Sequence, residues 1–252
     1  MSRIHAFCKA SIAPVRAEAS DRSELVTQLL FGELVEITEI SDNWLKIRSF
    51  MDGYEGWIDP KQIQDLREKE FSRWLDGLVV EHSEFRIVEG PEGRQTLPKG
   101  IFRPGDGEET FQIGKSTYRF LDGEGDADPD SLIDFALTYL NAPYLWGGKT
   151  MFGIDCSGFM QQIHRVFAYQ LPRDASQQAE LGQLVEFEDR EAGDLAFFIS
   201  ESGNIHHVGL LINKDEIIHA HGYVRIDDFN QQGITRKIDG VHSHQLHSVK
   251  RL

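Results

Sequence analysis

The strongest periodic signal in the chain is helical. From Ser157 the apolar residues Phe159, Met160, Ile163, Val166 and Phe167 recur at three- and four-residue spacing, with Ser157, Gln161, Gln162 and Arg165 between them. A second run, Leu132 to Leu140, starts behind Ser131, a good N-cap. It stops ahead of Pro143, whose ring excludes the preceding residue from helical geometry. Elsewhere the apolar positions come in short β-type runs. Four of them, at 12–15, 34–40, 44–47 and 56–58, are separated by Asp-Asn and Asp-Gly turn pairs and predict a small β-barrel over residues 1–62. Residues 63–125 open with the charged stretch 64–70. Runs at 78–80, 85–88, 111–113 and 118–121 then predict a second, degenerate β module.

The tract 121–130 is acidic and glycine-rich with no apolar period, and reads as a linker, so a third domain is expected over 126–252. In that domain the helices come first. Strands are then predicted at 194–199, 208–212, 216–220 and 224–226, an ordering that is α+β with an antiparallel sheet.

Composition removes several function classes. Lys plus Arg number 26 and Asp plus Glu 41, a formal charge of −15, which disfavours nucleic acid and anionic surfaces as partners. The first ten residues carry no apolar leader core. No run approaches the roughly 18 apolar residues of a membrane span, so no membrane association is expected. Cys8 and Cys156 are the only cysteines, too few for a disulfide framework and suited to a reducing compartment; the expected location is cytoplasmic.

Of the two, Cys156 has the reactive context. It follows a glycine-rich turn and directly precedes the helical run, so it is expected at a helix N-terminus, where unpaired N–H groups and the helix dipole lower a thiol pKa. A thiolate nucleophile needs a base and a group to orient that base. If 208–212 and 216–220 form a hairpin around Asn213-Lys214-Asp215, His207, His219 and His221 share a face and His206 points the other way. In a three-residue loop centred on 213, His207 lies opposite His219, and a one-step shift makes the two diagonal neighbours. A two-residue loop would reverse the parity.

The segments Tyr144-Leu-Trp-Gly-Gly, Gly153-Ile-Asp-Cys-Ser-Gly-Phe, Leu171-Pro-Arg-Asp-Ala-Ser-Gln-Gln, Gly193-Asp-Leu-Ala-Phe-Phe, His207-Val-Gly and Ile217-Ile-His-Ala-His-Gly occur in this order. Together they resemble the NlpC-type bacterial cell-wall cysteine peptidases, whose catalytic domain is a circularly permuted papain-like fold. The run from Gly32 to Ile58 resembles a bacterial SH3-like module. The resemblance implies Cys156 as nucleophile, His207 as general base and then acid, and His219 as the residue orienting it, with no cofactor and no metal.

The combination with SH3-like modules looks like the γ-D-glutamyl-L-diamino acid endopeptidases, which cleave murein peptides after L-Ala-γ-D-Glu and require a free N-terminal L-Ala. It implies Asp174, Tyr54 and Glu18 at the substrate amine. Tyr144, Asp155 and Ser157 would line the site, and the Cys156 N–H would face the oxyanion.

Structural readings stand beside these. Asp155 and Asp174 are good helix N-caps, and Tyr144 and Trp146 are candidates for core packing. Cys8 is expected in the core. His242, His244 and His247 are read as structural or exposed, and His221 stands where the family pattern has a small residue, which leaves His221 as an alternative contact for His207. Cys156, His207, His219 and His221 could together ligate zinc, but no close-spaced ligand pair is present. Two further activities fit the motifs, an inactive peptidoglycan-binding protein and a thiol amidase or acyltransferase of the same fold.

Overall fold

The computed structural model describes residues 4–123, 125–126 and 128–252. The chain divides into two compact units, 1–128 and 129–252. Part of the acidic tract, Glu124 and Ala127, lies outside the described residues.

The first unit is built on a barrel-like antiparallel sheet of seven strands, in the order Leu25–Leu30, Ile12–Arg16, Glu55–Ile58, Trp44–Ser49, Leu34–Ser41, Ile4–Cys8 and Ile63–Leu66. The Asp42-Asn43 pair makes the tight turn between Leu34–Ser41 and Trp44–Ser49, with Asp42 at φ 47, a left-handed conformation that Asp tolerates better than most residues. Strand Ile63–Leu66 pairs with Ile4–Cys8, so this sheet runs past residue 62. A four-stranded sheet, Gly93–Pro98, Phe85–Gly90, Ser116–Phe120 and Thr110–Ile113, follows the helix Glu68–Asp76. The charged stretch 64–70 thus supplies the start of a helix, whose Phe71 and Trp74 are buried. Phe7, Phe31, Trp74, Val88, Leu97, Phe111 and Tyr118 belong to one apolar cluster, so the two sheets share a core.

The second unit contains helices α1 (Leu132–Leu137), α2 (Cys156–Val166) and α3 (Ala175–Gln178). The strands of its main sheet are β1 (Gln183–Val185), β2 (Leu195–Ile199), β3 (Ile205–Leu211), β4 (Glu216–His221), β5 (Tyr223–Asn230), β6 (Gly233–Thr235) and β7 (His242–Arg251). The sheet is antiparallel in the order β1-β7-β2-β3-β4-β5-β6, and β6 also pairs with β7. That last pairing closes β7-β2-β3-β4-β5-β6 on itself and covers the free edge of β6, leaving β1 as an edge strand paired with β7.

α1 is shorter than the apolar run that predicts it. Residues 138–140 tighten into i→i+3 bonds, and Asn141, at φ 69, turns the chain towards Pro143. α2 is buried from Cys156 to Arg165, polar positions included, because its polar side faces the 171–178 segment rather than water; Gln161 Nε2 donates to the Leu171 carbonyl at 2.9 Å. This packing against β3 and β4 places the start of α2 beside the histidine-bearing strands. Among the described residues no helix is long and apolar enough to cross a membrane.

Candidate active site

Asp155 is the N-cap of α2, and Cys156 is its first helical residue. The cap carboxylate accepts from Gly158 N at 2.7 Å and reaches back to Gly147 N at 2.8 Å, tying the glycine turn to the helix start. The turn must pass very close to the helix. A Cβ at Gly158 would lie 2.4 Å from the Gly148 carbonyl oxygen, which explains a glycine two residues after the thiol. The Arg173 guanidinium donates to both Asp155 oxygens and to Ser157 Oγ, the last at 2.9 Å, with Arg173 and Asp155 both buried. Asp155 and Ser157, which the resemblance places along the substrate site, are both buried here, and their side chains brace the helix start.

The histidines meet as the strand parity requires. In β3 and β4, Leu210 pairs with Ile218 and Leu211 with Ile217, so the loop centres on Lys214 and not on Asn213. Continued along the strands, this register puts Gly209 opposite His219 and makes His207 and His219 diagonal neighbours. Gly209 leaves the gap they need, since a Cβ there would lie 2.9 Å from that of His219. His207 Nε2 is 2.8 Å from His219 Nδ1, and both rings are buried. His221 stays exposed, its ring centroid 6.3 Å from that of His207, and His206 is also exposed.

Asp227 on β5 extends the series. Its carboxylate, nearly fully buried, accepts from His219 Nε2 at 3.1 Å, from Arg225 and from the Lys237 backbone N–H at 3.0 Å. Burial opposes its ionisation, but the bonds from His219, Arg225 and Lys237 outweigh it and hold the carboxyl below its usual range. An ionised Asp227 fixes the proton of His219 on Nε2. His219 Nδ1 then accepts from His207 Nε2–H, and His207 keeps a lone pair on Nδ1. Burial, followed by the neighbouring imidazoles, holds His207 well below 6.5, so it is neutral at pH 7.

The thiol differs from expectation. Its sulfur accepts from the backbone N–H groups of Val208, next to His207, and of Ser157, and Arg173 adds positive charge. Burial and the Asp155 carboxylate outweigh these three effects and push the Cys156 thiol up to about 12. The resting pair is thus a neutral thiol and a neutral imidazole; the helix start does not supply a preformed thiolate because the sulfur is desolvated.

Tyr144 is half-buried, its hydroxyl pKa raised by burial and then by its neighbours Cys156 and Asp155. Trp146, read as core, is 59% exposed. Asp174 is the N-cap of α3 in a capping box with Gln177, matching its structural reading. Tyr54 and Glu18 belong to the first unit. Tyr54 is half-buried in the turn before Glu55–Ile58, its N–H bound to Asp52, and Glu18 is exposed after Ile12–Arg16, its N–H bound to Ser23 Oγ. Cys8 is buried with no exposure, as expected. Three residues of the site had no role in the sequence reading: Arg173, Asp227 and His244, the last stacked on His207 at 4.2 Å between centroids. Arg173 lay inside a quoted motif, whereas nothing local marks Asp227 or His244.

Residues 141–243 match the NlpC/P60 family, and residues 15–63 match the bacterial dipeptidyl-peptidase Sh3 domain. A γ-D-glutamyl-L-lysine dipeptidyl-peptidase of Bacillus subtilis is 33% identical over 214 residues, covering 77% of this chain and 71% of the relative. A Bacillus cereus protein with the same designation is 26% identical over 232 residues, 80% of this chain and 68% of its own. The crystal structure of an NlpC/P60 family protein from Bacillus cereus is similar with a TM-score of 0.79 over 98% of this chain and 99% of that one, at 21% identity, a likeness of fold.

Proposed function

Because the chain belongs to the NlpC/P60 family of cysteine peptidases, we propose that it is a γ-D-glutamyl-L-diamino acid endopeptidase, cleaving murein stem peptides between γ-D-Glu and the diamino acid. The observation that carries the chemistry is the series from His207 Nε2 to His219 Nδ1 to Asp227, with the Cys156 sulfur held against the backbone N–H of Val208, the residue after His207. The substrate class is supported by the 33%-identical relative and by the dipeptidyl-peptidase Sh3 match.

In this mechanism His207 Nδ1 takes the thiol proton as sulfur attacks the γ-carbonyl carbon. With both groups neutral at rest, proton transfer and attack are coupled. The N–H of Cys156, a first-turn donor without an intrahelical acceptor, faces the oxyanion. The imidazolium returns its proton to the departing amine of the diamino acid, leaving a thioester. Water then attacks the thioester as His207 takes its proton, and the thiol is regenerated. Asp174 is proposed to pair with the protonated α-amine of L-Ala, a charge that an acylated substrate lacks.

Hydrolysis of free and N-acetylated L-Ala-γ-D-Glu-L-Lys and diaminopimelate peptides, followed by mass spectrometry, tests the reading. The free peptides should be cut after γ-D-Glu, the acetylated ones at least roughly tenfold more slowly, and Cys156→Ala should not cut at all. Turnover by Cys156→Ala removes the mechanism; equal rates on acetylated peptides remove amine recognition.

A further inference from the structure

Three buried imidazoles from three strands converge here: His207 of β3, His219 of β4 and His244 of β7. Their nitrogens lie within 4.8 Å of one another, the one such His, Cys, Asp or Glu grouping among the described residues. The ring centroids are 5.0, 4.2 and 5.7 Å apart. Imidazoles bound at about 2.0–2.1 Å around a tetrahedral ion would have centroids about 5 Å apart.

The donor atoms are already sorted. His219 Nε2 is held by Asp227, which leaves Nδ1 for an ion, and this carboxylate–histidine pair is the outer support usual in metal sites. His207 presents Nε2 to the same spot. His244 Nδ1 lies 2.9 Å from Ser243 Oγ, which leaves its Nε2. The exposed His221, with its ring 4.7 Å from that of His244, stands at the solvent edge of the group.

We propose that His207, His219 and His244 form a binding site for a borderline divalent cation of the zinc class, and that occupancy reversibly switches the thiol chemistry off. Imidazole donors favour zinc, copper and nickel over magnesium or calcium. The ion takes His207 Nε2 in place of the bond to His219, and the proton displaced from Nε2 moves to Nδ1. Nδ1 is the nitrogen that must accept the thiol proton, so the base is filled while its charge is unchanged. The switching rests on the Cys156–His207 peptidase reading; the binding does not.

Zinc titration by calorimetry, with Co²⁺ absorption as a second probe, tests the site in the wild type, Cys156→Ala and His244→Gln. We expect one Zn²⁺ per chain in the wild type and in Cys156→Ala, and binding weakened at least roughly tenfold in His244→Gln. Peptide hydrolysis should fall with occupancy and return on chelation. Absence of binding, undiminished binding in His244→Gln, or loss of binding in Cys156→Ala, which would make the thiolate the ligand, overturns the site. Full activity in the zinc-loaded enzyme overturns the switch. Should Gln at 244 unsettle the fold, imidazole NMR of the wild type replaces that arm: zinc must shift His207, His219 and His244, and unmoved resonances reject the assignment. A metal-free enzyme without hydrolysis would sink the peptidase reading and leave the binding result standing.

Discussion

At the scale of single residues, the site depends on where protons sit. His219 can orient His207 only if its own Nδ1 is an acceptor, and the Asp227 carboxylate enforces that tautomer. Asp227 is a positioning residue, separated from the reacting atoms by two rings. Asp227→Asn presents a carbonyl or an amide to His219 and removes the charge that stabilises the imidazolium. We expect kcat to fall about 10- to 100-fold with KM little changed, and the acid limb of the pH–rate profile to move to lower pH. A variant that loses stability while its remaining activity keeps the wild-type pH profile would reduce Asp227 to packing.

At the scale of elements, the start of α2 is held by an ion pair out of water. Arg173 precedes α3, Asp155 caps α2, and the guanidinium spans from one helix start to the other. Removing one partner of such a pair leaves a buried charge uncompensated, at a cost of about 3–5 kcal/mol. Arg173→Ala is therefore expected to lower the denaturation midpoint sharply in a urea titration. It should also loosen the turn that positions Cys156; a midpoint within error of the wild type would show that the pair contributes little. The polar side of α2 carries the same lesson. Its glutamines and Arg165 are as well buried as its apolar residues, because the helix is enclosed by its own unit.

At the scale of the whole molecule, buried neutral histidines couple folding to pH. Burial lowers His164 from 6.5 to about 4, and burial with neighbouring imidazoles lowers His244 to about 3. Both belong to residues 129–252, and both regain an ordinary pKa on unfolding. The unfolded chain then binds protons that the folded chain refuses. The stability these residues contribute is complete above about pH 6.5 and is lost as pH falls from there towards about 4 for His164 and about 3 for His244. Melting temperature should decline across that window, and His164→Gln should flatten the decline. A melting temperature level from pH 7 to 4 would contradict it.

Much of this was legible from local pattern. The β runs before residue 62, the capped start at Ser131, the helix beginning at Cys156 and the shared face of His207 and His219 follow from period, turn chemistry and strand parity, which depend only on near neighbours in the chain. Nearest-neighbour patterns are silent on the rest. The strand His242–Arg251 carries too few apolar positions to announce itself, yet it closes the sheet by pairing with three others. That closure brings His244 onto His207, and the turn from β4 into β5 brings Asp227 under His219. The protonation of Cys156 was decided at the same level: a helix start favours the thiolate, but desolvation depends on what the rest of the unit packs over the sulfur. Residue types and their order determined which side chains could react. Long-range strand pairing and burial decided which of them meet, and in what charge state, because neither can be computed from residues a few positions apart.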